Sequence, residues 1–518
     1  MRRLCARLAV ALFALGLAAP AIAYVCHPDP AGTRSLALHG RIVAYSLRGK
    51  VLTIGVASQG ACRVVTWDTA HSGRTMNSGL SCRSVAGLRR VLGSATGVRL
   101  RSAGTVDRAD RIEVLTAGGH VRRSWPLPVR ARLGTLQVAG GFAAFVRRDG
   151  SGLWVTRLKD GRTTFVGPVR SGDRPLLDGS GAAYQDDVYK HRPLDQPLLK
   201  FVPSRTIDVE LARVGRPLYT SGPIRSFSAD ATRVALVVGG GAGRCDRVVF
   251  WDLPWRSAEQ VSEDSGPTCA ALGASGRISS VALGGARAQW VTLDRGRPML
   301  IAADDIGCQE WVIRRLSDLQ HGVGFAGIAA DGSTLAFALV NRFRHFTSSQ
   351  VGLVTPGYRG RGIFRLGETV RAMSAYDGSV AVLAGDGSVR VRTKSGVAIR
   401  SFVARAATTM ALGGKVLVVI TRDYRLGVYS LANGRLLHRW LLPKGAAHVD
   451  LQYGIAVVTA GHSVYAINTA SGRMRRVAVT PLAVRAQIEP IGIVYAYSTN
   501  THGTAKLIPM SRVERVLR

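Results

Sequence analysis

Residues 388–396 read S-V-R-V-R-T-K-S-G, and a phrase of the same kind returns twice at an interval of 38 residues. The second copy, L-G-V-Y-S-L-A-N-G, ends at Gly434, and the third, S-V-Y-A-I-N-T-A-S-G, ends at Gly472. Earlier copies surround Gly73, Gly119 and Gly161. A period near 40 that is built from short β-runs and glycine turns predicts radially arranged β-sheets.

A second pattern inside the repeats is a continuous apolar run, such as V-A-V-L-A from Val380 and G-I-A-V-V-T from Gly454. Continuous hydrophobicity indicates a strand covered on both faces, as between two neighbouring sheets of a propeller. The outer strands alternate instead, as V-R-V-R does from Val389, because one of their faces meets solvent. We therefore expect an all-β fold, a β-propeller of four-stranded antiparallel blades.

Several phrases resemble known propeller families. The Trp67-Asp68 and Trp251-Asp252 pairs resemble the dipeptide of WD40 repeats, and the stretches from Phe227 and Ala329 resemble strands of WD40 and TolB-like propellers. V-Y-A-I-N-T-A-S-G-R from Val464 resembles a repeat of PQQ (quinoprotein-like) enzymes. The resemblance to bacterial secreted propellers implies a binding surface. No two cysteines are adjacent, unlike those expected over the PQQ cofactor, so we expect no cofactor.

The number of repeats bears on the domain organisation. We count about eleven units after Ser35, whereas one propeller usually has ~4–8 blades. Two tandem propellers are therefore expected, with a single large ring as the alternative. The stretch from Leu36 resembles the one from Val281, which places a boundary near Gly273. The predicted units are residues 24–273 and 274–518.

The N-terminus has the pattern of a secretory signal peptide. Three arginines (Arg2, Arg3 and Arg7) precede an apolar run and A-I-A at residues 21–23, which predicts cleavage after Ala23. No later segment reaches the ~18 apolar residues of a membrane helix. We expect a secreted, extracytoplasmic protein without a transmembrane helix in its mature form.

Six cysteines remain after cleavage, and export permits disulfides. The sequences after Cys62 and Cys245 are similar, and each has another cysteine 20 or 24 residues on. We predict the pairs Cys62–Cys82 and Cys245–Cys269, and by elimination Cys26–Cys308, although six cysteines allow 15 connectivities. No C-x-x-C motif is present, so no metal site is predicted.

The formal net charge is +36, and a protein this basic is expected to adsorb to anionic polymers. Specific recognition of nucleic acid is not expected, because the arginines occur as scattered pairs rather than as one stripe with aromatics. These pairs are Arg89-Arg90, Arg122-Arg123, Arg147-Arg148 and Arg314-Arg315.

No linear catalytic motif is present. The sequence lacks G-x-S-x-G, C-x-x-C-H and H-E-x-x-H. The vicinal acids Asp186-Asp187 and Asp304-Asp305 point to opposite faces if they lie on strands, so we interpret them as turn or ion-pair residues.

Aromatic and arginine residues in apparent loops are the candidate interface. They are Trp255 and the cluster Arg342, Phe343, Arg344, His345 and Phe346. We predict a non-enzymatic scaffold that binds a protein or an anionic envelope polymer. The alternative is a hydrolase or lyase for polysaccharide or peptide with its site in a central funnel. Two or three carboxylates with a His or Tyr in the channel would favour the enzyme, and a lining of Val, Ala and Gly the scaffold.

Overall fold

The computed structural model describes residues 32–518 except 59–60, 71–73, 78–96, 105–107, 149, 151, 171–172, 187–197, 215, 231–232, 241–244, 254–256, 261–273, 285–286, 295–296, 306–310, 319–322, 332–333, 344–345 and 355–359. The predicted signal peptide lies outside these residues. No helix in the described ranges is long and apolar enough to cross a membrane.

The first fifteen strands form four antiparallel sheets, here called the N-terminal sheet group. Their bounds are β1 Arg34–Ala37, β2 Arg41–Arg48, β3 Val51–Ser58, β4 Ala61–Asp68, β5 Arg74–Asn77, β6 Val98–Arg101, β7 Arg111–Leu115, β8 Val121–Pro126, β9 Gln137–Ala139, β10 Phe142–Val146, β11 Leu153–Arg157, β12 Thr163–Gly167, β13 Leu176–Asp178, β14 Gly181–Gln185 and β15 Leu198–Pro203. The sheets are β2-β3-β4-β5, the three-stranded β6-β7-β8, β9-β10-β11-β12, and β13-β14-β15 with β1 as its outer strand.

The remaining strands form seven four-stranded sheets, here called the seven-sheet ring. Their bounds are β16 Leu218–Thr220, β17 Ile224–Asp230, β18 Arg233–Val238, β19 Arg247–Asp252, β20 Ser257–Gln260, β21 Ala274–Gly284, β22 Arg287–Asp294, β23 Arg297–Asp305, β24 Trp311–Asp318, β25 Val323–Asp331, β26 Thr334–Phe343, β27 Phe346–Val354, β28 Gly360–Leu366, β29 Val370–Tyr376, β30 Ser379–Ala384, β31 Ser388–Thr393, β32 Ala398–Val403, β33 Ala407–Leu412, β34 Val416–Thr421, β35 Arg425–Ser430, β36 Leu436–Leu441, β37 Ala446–Gln452, β38 Ile455–Ala460, β39 Ser463–Asn468, β40 Met474–Val479, β41 Val484–Glu489, β42 Gly492–Ser498 and β43 Gly503–Pro509.

The contacts between these seven sheets form a closed cycle. The first strand of each sheet packs on the first strand of the next, from β17 through β21, β25, β29, β33 and β37 to β41, and β17 also contacts β41 and β42. The last sheet takes its outer strand from the start of the ring, because Leu218 pairs with Ala505 and Thr220 with Gly503. One sheet therefore contains both ends of the ring and joins them by backbone hydrogen bonds.

Two short helices flank the ring: α1 (Ser204–Arg213) precedes it and α2 (Met510–Leu517) follows it. Gly273, the predicted boundary, falls between β20 and β21, whose sheets pack together through β17, β18 and β21. The pairing of β16 with β43 groups the chain from Leu218 onward with the C-terminal sheets. The predicted boundary near Gly273 stays a prediction.

The N-terminal sheets also pack in sequence. β2 contacts β13, and β13 contacts β9, while Ile112 and Trp125 of the three-stranded sheet share a buried cluster with Phe145 and Trp154. With the ring they make eleven sheets in the described chain, close to the number counted from the sequence. A second closed ring in this half stays a prediction.

The burial pattern follows the hydrophobic pattern of the repeats. All of β38 is buried, as are residues 380–384 of β30. On β31, Val389 and Val391 are buried, whereas Arg390 and Arg392 are only partly so. The prediction of inner strands covered on both faces and alternating outer strands is confirmed, because each sheet is enclosed by its two neighbours.

The turn glycine of the repeat has two physical reasons to be glycine, and Gly472 shows both. Its φ is +72°, and a Cβ atom there would lie 2.0 Å from Nε1 of Trp440 on the outer strand of the preceding sheet. Since a left-handed non-glycine residue costs ~1–3 kcal/mol and the indole must also move, Gly472→Ala should lower the free energy of unfolding by more than the backbone strain alone, as measured by urea denaturation.

Gly461→Ala is the matched control for this prediction, since Gly461 lies in the same sheet with a φ of +56° and has no atom within 4 Å of its Cβ position. It should show only the backbone strain. Equal losses of stability in the two variants would contradict the role that we give to the contact with Trp440.

Candidate functional site

The first strands of the seven sheets line a central channel with a cavity of about 200 Å³. Its walls include small and apolar residues such as Ala282, Ala329 and Ala411, but polar side chains also face it. The polar lining residues are Ser228, Asp331, Ser374, Tyr376, Thr409, His448, Asp450, Gln452, Gln487 and Glu489. Three carboxyl groups with a histidine and a tyrosine are the composition that we said would favour the enzyme, although alanine and valine residues line the channel as well.

Four of these side chains link neighbouring sheets. Each stands two residues before the end of its strand and accepts a hydrogen bond from a backbone N–H of the next sheet. The pairs are Leu283 N to Ser228 Oγ (3.0 Å), Leu412 N to Ser374 Oγ (2.9 Å), Ile488 N to Asp450 Oδ2 (2.8 Å) and Ala229 N to Gln487 Oε1 (2.6 Å). The last pair joins the seventh sheet to the first.

Two carboxyl groups in the channel have raised pKa values. Burial and, to a smaller extent, the negative charge of Asp230 raise the pKa of Asp331 to about 7. The backbone N–H of Asp377 donates to Asp331 Oδ2, which links two more neighbouring sheets. Burial also raises the pKa of Asp450 to about 6, against the opposing effect of the hydrogen bond from Ile488. Both shifts arise because narrow walls exclude the bulk water that would stabilise a carboxylate.

The histidine of the channel is shifted in the opposite direction. Burial and, to a smaller extent, the positive charge of Arg485 lower the pKa of His448 to about 4. His448 is therefore a neutral imidazole at pH 7. A neutral imidazole beside carboxyl groups has the composition of an acid–base site.

The contacts and the size of the channel nevertheless indicate a structural role. Asp331 and Asp450 both accept backbone hydrogen bonds that join neighbouring sheets. The cavity is also smaller than the ~300–1,000 Å³ of typical small-molecule sites, so a polysaccharide or peptide chain would not fit inside it. Among the described residues, no group of three or more His, Cys, Asp or Glu side chains is placed to hold a metal ion.

The raised pKa of Asp331 predicts that stability falls as the pH rises. The folded protein holds this proton up to about pH 7, whereas an unfolded chain releases it near pH 4. The stabilisation is complete below pH 4 and is lost as the pH passes through 7. Between pH 6.5 and 8, the free energy of unfolding of the unmodified protein should fall by an amount on the order of 1 kcal/mol. Asp331→Asn should abolish this fall, and urea titrations at several pH values measure it.

Asp423→Asn is the control for this pH dependence, because arginines and Thr421 hold the pKa of that carboxyl below its usual range. It should keep the slope of the unmodified protein between pH 6.5 and 8. A slope that persists in Asp331→Asn would show that another group titrates there.

The candidate interface residues are only partly described. Phe343 ends β26 and Phe346 begins β27, and Arg342 pairs with Thr347 beside them. Arg344, His345 and Trp255 lie outside the described residues. The cluster thus surrounds the hairpin between the second and third strands of its sheet, and its binding role stays a prediction.

The cysteines are also described in part. Cys62 on β4 and Cys245 before β19 are both disulfide-bonded. Cys26, Cys82, Cys269 and Cys308 lie outside the described residues. The three pairings therefore stay predictions.

Exposed aliphatic side chains recur on the outer strands of three successive sheets. Val403, Leu441 and Val479 are 59%, 68% and 62% exposed, and each ends the fourth strand of its sheet. They pair with Ser388, Arg425 and Ser463, the first residues of the third strands, so their positions are equivalent. We call these three residues the apolar rim. The sequence analysis missed it because an exposed valine or leucine cannot be told from a buried one by its own identity.

The closed ring of four-stranded antiparallel sheets around a narrow channel defines the protein as a β-propeller. No family model matches the chain, and no curated protein is similar to it. Among solved structures, the chain is similar to Sqt1 of Saccharomyces cerevisiae, with 11% identity, a TM-score of 0.38 and coverage of 57% of this chain and 100% of that one. It is also similar to the WD40 propeller domain of Doa1, with 11% identity, a TM-score of 0.41 and coverage of 58% of this chain and 98% of that one. A chain of a mitotic checkpoint complex is similar as well, with 13% identity, a TM-score of 0.41 and coverage of 57% of this chain and 92% of that one. The propeller assignment rests on this chain's own strand pairing.

Proposed function

We propose that this protein is an exported, non-enzymatic binding scaffold that holds a partner protein on the apolar rim. The observation that carries the proposal is the exposure of Val403, Leu441 and Val479 at equivalent positions of three neighbouring sheets. Water solvates exposed apolar side chains poorly, and a partner protein that covers them removes this unfavourable contact.

Charge near the rim indicates the chemistry of the partner. Arg405 follows Val403 by two residues, and Lys444 follows Leu441 by three. Both are exposed. A partner with apolar side chains surrounded by acidic ones would complement this surface.

The position of the predicted aromatic cluster supports binding at the same end of the ring. Its hairpin joins the second and third strands of the sheet next to that of Val403. Third strands begin, and fourth strands end, on that side of each sheet. The strand ends at Phe343 and Phe346 and the apolar rim therefore lie at one end of the ring, and a single partner could contact both.

Two double variants with equal numbers of lost aliphatic groups test the proposal. Leu441→Ser with Val479→Ser removes part of the rim. Val397→Ser with Leu436→Ser removes residues that are 63% and 46% exposed at the opposite end of their sheets. Each variant is used to capture partner protein from the extracytoplasmic fraction of the source cells, and mass spectrometry measures the amount retained. This amount should fall about tenfold or more for the rim variant only.

Thermal unfolding of both variants shows whether they are folded. Equal retention of the partner by the two variants would reject the rim as the binding surface. Turnover of a glycan or peptide without any retained partner would support the alternative enzyme.

A further inference from the structure

A cleft next to the channel lies where the N-terminal sheet group meets the ring. It has a volume of about 730 Å³, within the range of ligand sites between domains. Its lining includes Ala103 and Arg108 from the N-terminal sheet group, Lys415 and Tyr453 from hairpins of the ring, and Glu514 and Arg518 from the C-terminus. We call the cavity bounded by these six residues the junction cleft.

The walls of the junction cleft are tied together. Arg111 donates two hydrogen bonds to Glu514, from Nη1 to Oε1 and from Nη2 to Oε2, both at 2.9 Å. This two-point ion pair connects β7 to α2 and fixes their relative orientation. On the other wall, the N–H of Ala103 donates to Asp110 Oδ1 at 3.0 Å, and Arg130 pairs with the same oxygen at 2.8 Å.

The charge of the cleft is strongly positive. Arg108, Lys415 and Arg518 are exposed at its edge, and within the described part of the chain none of the three forms an ion pair. Glu514 is the one acidic residue among the described lining residues, and Arg111 neutralises it. The carboxyl groups of Asp331 and Glu489 line the neighbouring channel instead.

We propose that the junction cleft binds a small phosphate-bearing molecule with more than one negative charge. Three cations, from the N-terminal sheet group, the ring and the C-terminal residues, border one cavity, and each can donate charge-assisted hydrogen bonds to phosphate oxygens. The hairpin residues Gly414 and Gly454 also border the cavity and leave its walls open beside Lys415 and Tyr453. This site is independent of the apolar rim, so either proposal can fail without the other.

Isothermal titration of the full chain with pyrophosphate in ~0.15 M salt tests the site under conditions that screen exposed charges. Lys415→Gln removes one cation and should weaken binding about tenfold or more. Ala103→Trp keeps the charge and fills the cavity, and it should abolish binding. Arg422→Gln removes an exposed cation at the other end of the ring and should leave the affinity unchanged.

Vesicles of phosphatidylglycerol separate two sources of the phosphate. Binding of vesicles that also depends on Lys415 would identify a lipid head group, and binding of pyrophosphate alone would identify a soluble ligand. Affinity that falls equally in Lys415→Gln and Arg422→Gln would reflect only the overall charge of +36 and overturn the proposal. Absence of pyrophosphate binding by the unmodified protein would overturn it as well.

Discussion

Replacement of Trp251 by alanine is expected to lower the free energy of unfolding of the ring by about 3–5 kcal/mol. The side chain is 1% exposed. It packs in one cluster with Val494 and Leu507 of the last sheet, so its removal opens a cavity at the contact that closes the ring. The large effect follows because the loss of buried apolar surface is added to the loss of packing around the cavity.

Chemical denaturation followed by circular dichroism measures this loss. Tyr219→Ala is the comparison, because Tyr219 lies on β16 of the last sheet but is 73% exposed. That variant should stay within about 0.5 kcal/mol of the unmodified protein, as is usual for surface positions. A loss below about 1 kcal/mol for Trp251→Ala would show that the first and last sheets do not depend on this cluster.

Replacement of Lys200 by methionine is expected to cost about 3–5 kcal/mol in the N-terminal sheet group. Lys200 and Asp186 are 3% and 0% exposed, and Lys200 Nζ lies 2.5 Å from Asp186 Oδ2. Methionine would remove the ammonium group that lies against this buried carboxylate.

A double variant distinguishes loss of charge balance from loss of packing. Lys200→Met with Asp186→Leu removes both charges and should recover most of the stability, because two apolar residues replace a buried ion pair at little cost. Arg425→Met is the surface control, since Arg425 and Asp423 are both about half exposed. A double variant as unstable as Lys200→Met would contradict the electrostatic explanation.

The ion pair of Asp186 also shows how far sequence reasoning extended at a single residue. We interpreted the vicinal acids as turn or ion-pair residues, and Asp186 does form an ion pair. One partner is a buried lysine of the neighbouring strand, β15. Residues 187–197 separate Asp186 from β15 in the sequence. No local pattern indicates that the strands on the two sides of this segment pair with each other.

The polar residues that link the sheets around the channel could not be identified from the sequence. Ser228, Asp450 and Gln487 occur in strands that contain other polar residues as well, and they match no motif. All three are polar residues two positions before the end of a strand. Their role could not be predicted from this position, because each accepts a hydrogen bond from a backbone N–H of the next sheet. The raised pKa values of Asp331 and Asp450 depend likewise on walls built by several sheets.

The sequence by itself determined the repeat, the four-stranded sheets and the strands that are buried on both faces. Those features follow from local hydrophobic pattern and from glycines such as Gly472, because the side-chain environment within one repeat depends on residues close together in the chain. Tertiary structure alone decided where the ring begins and ends. A period of 38 residues sets the length of a repeat but not its starting strand, so only the pairing of Leu218 with Ala505 could show that one sheet is shared by both ends.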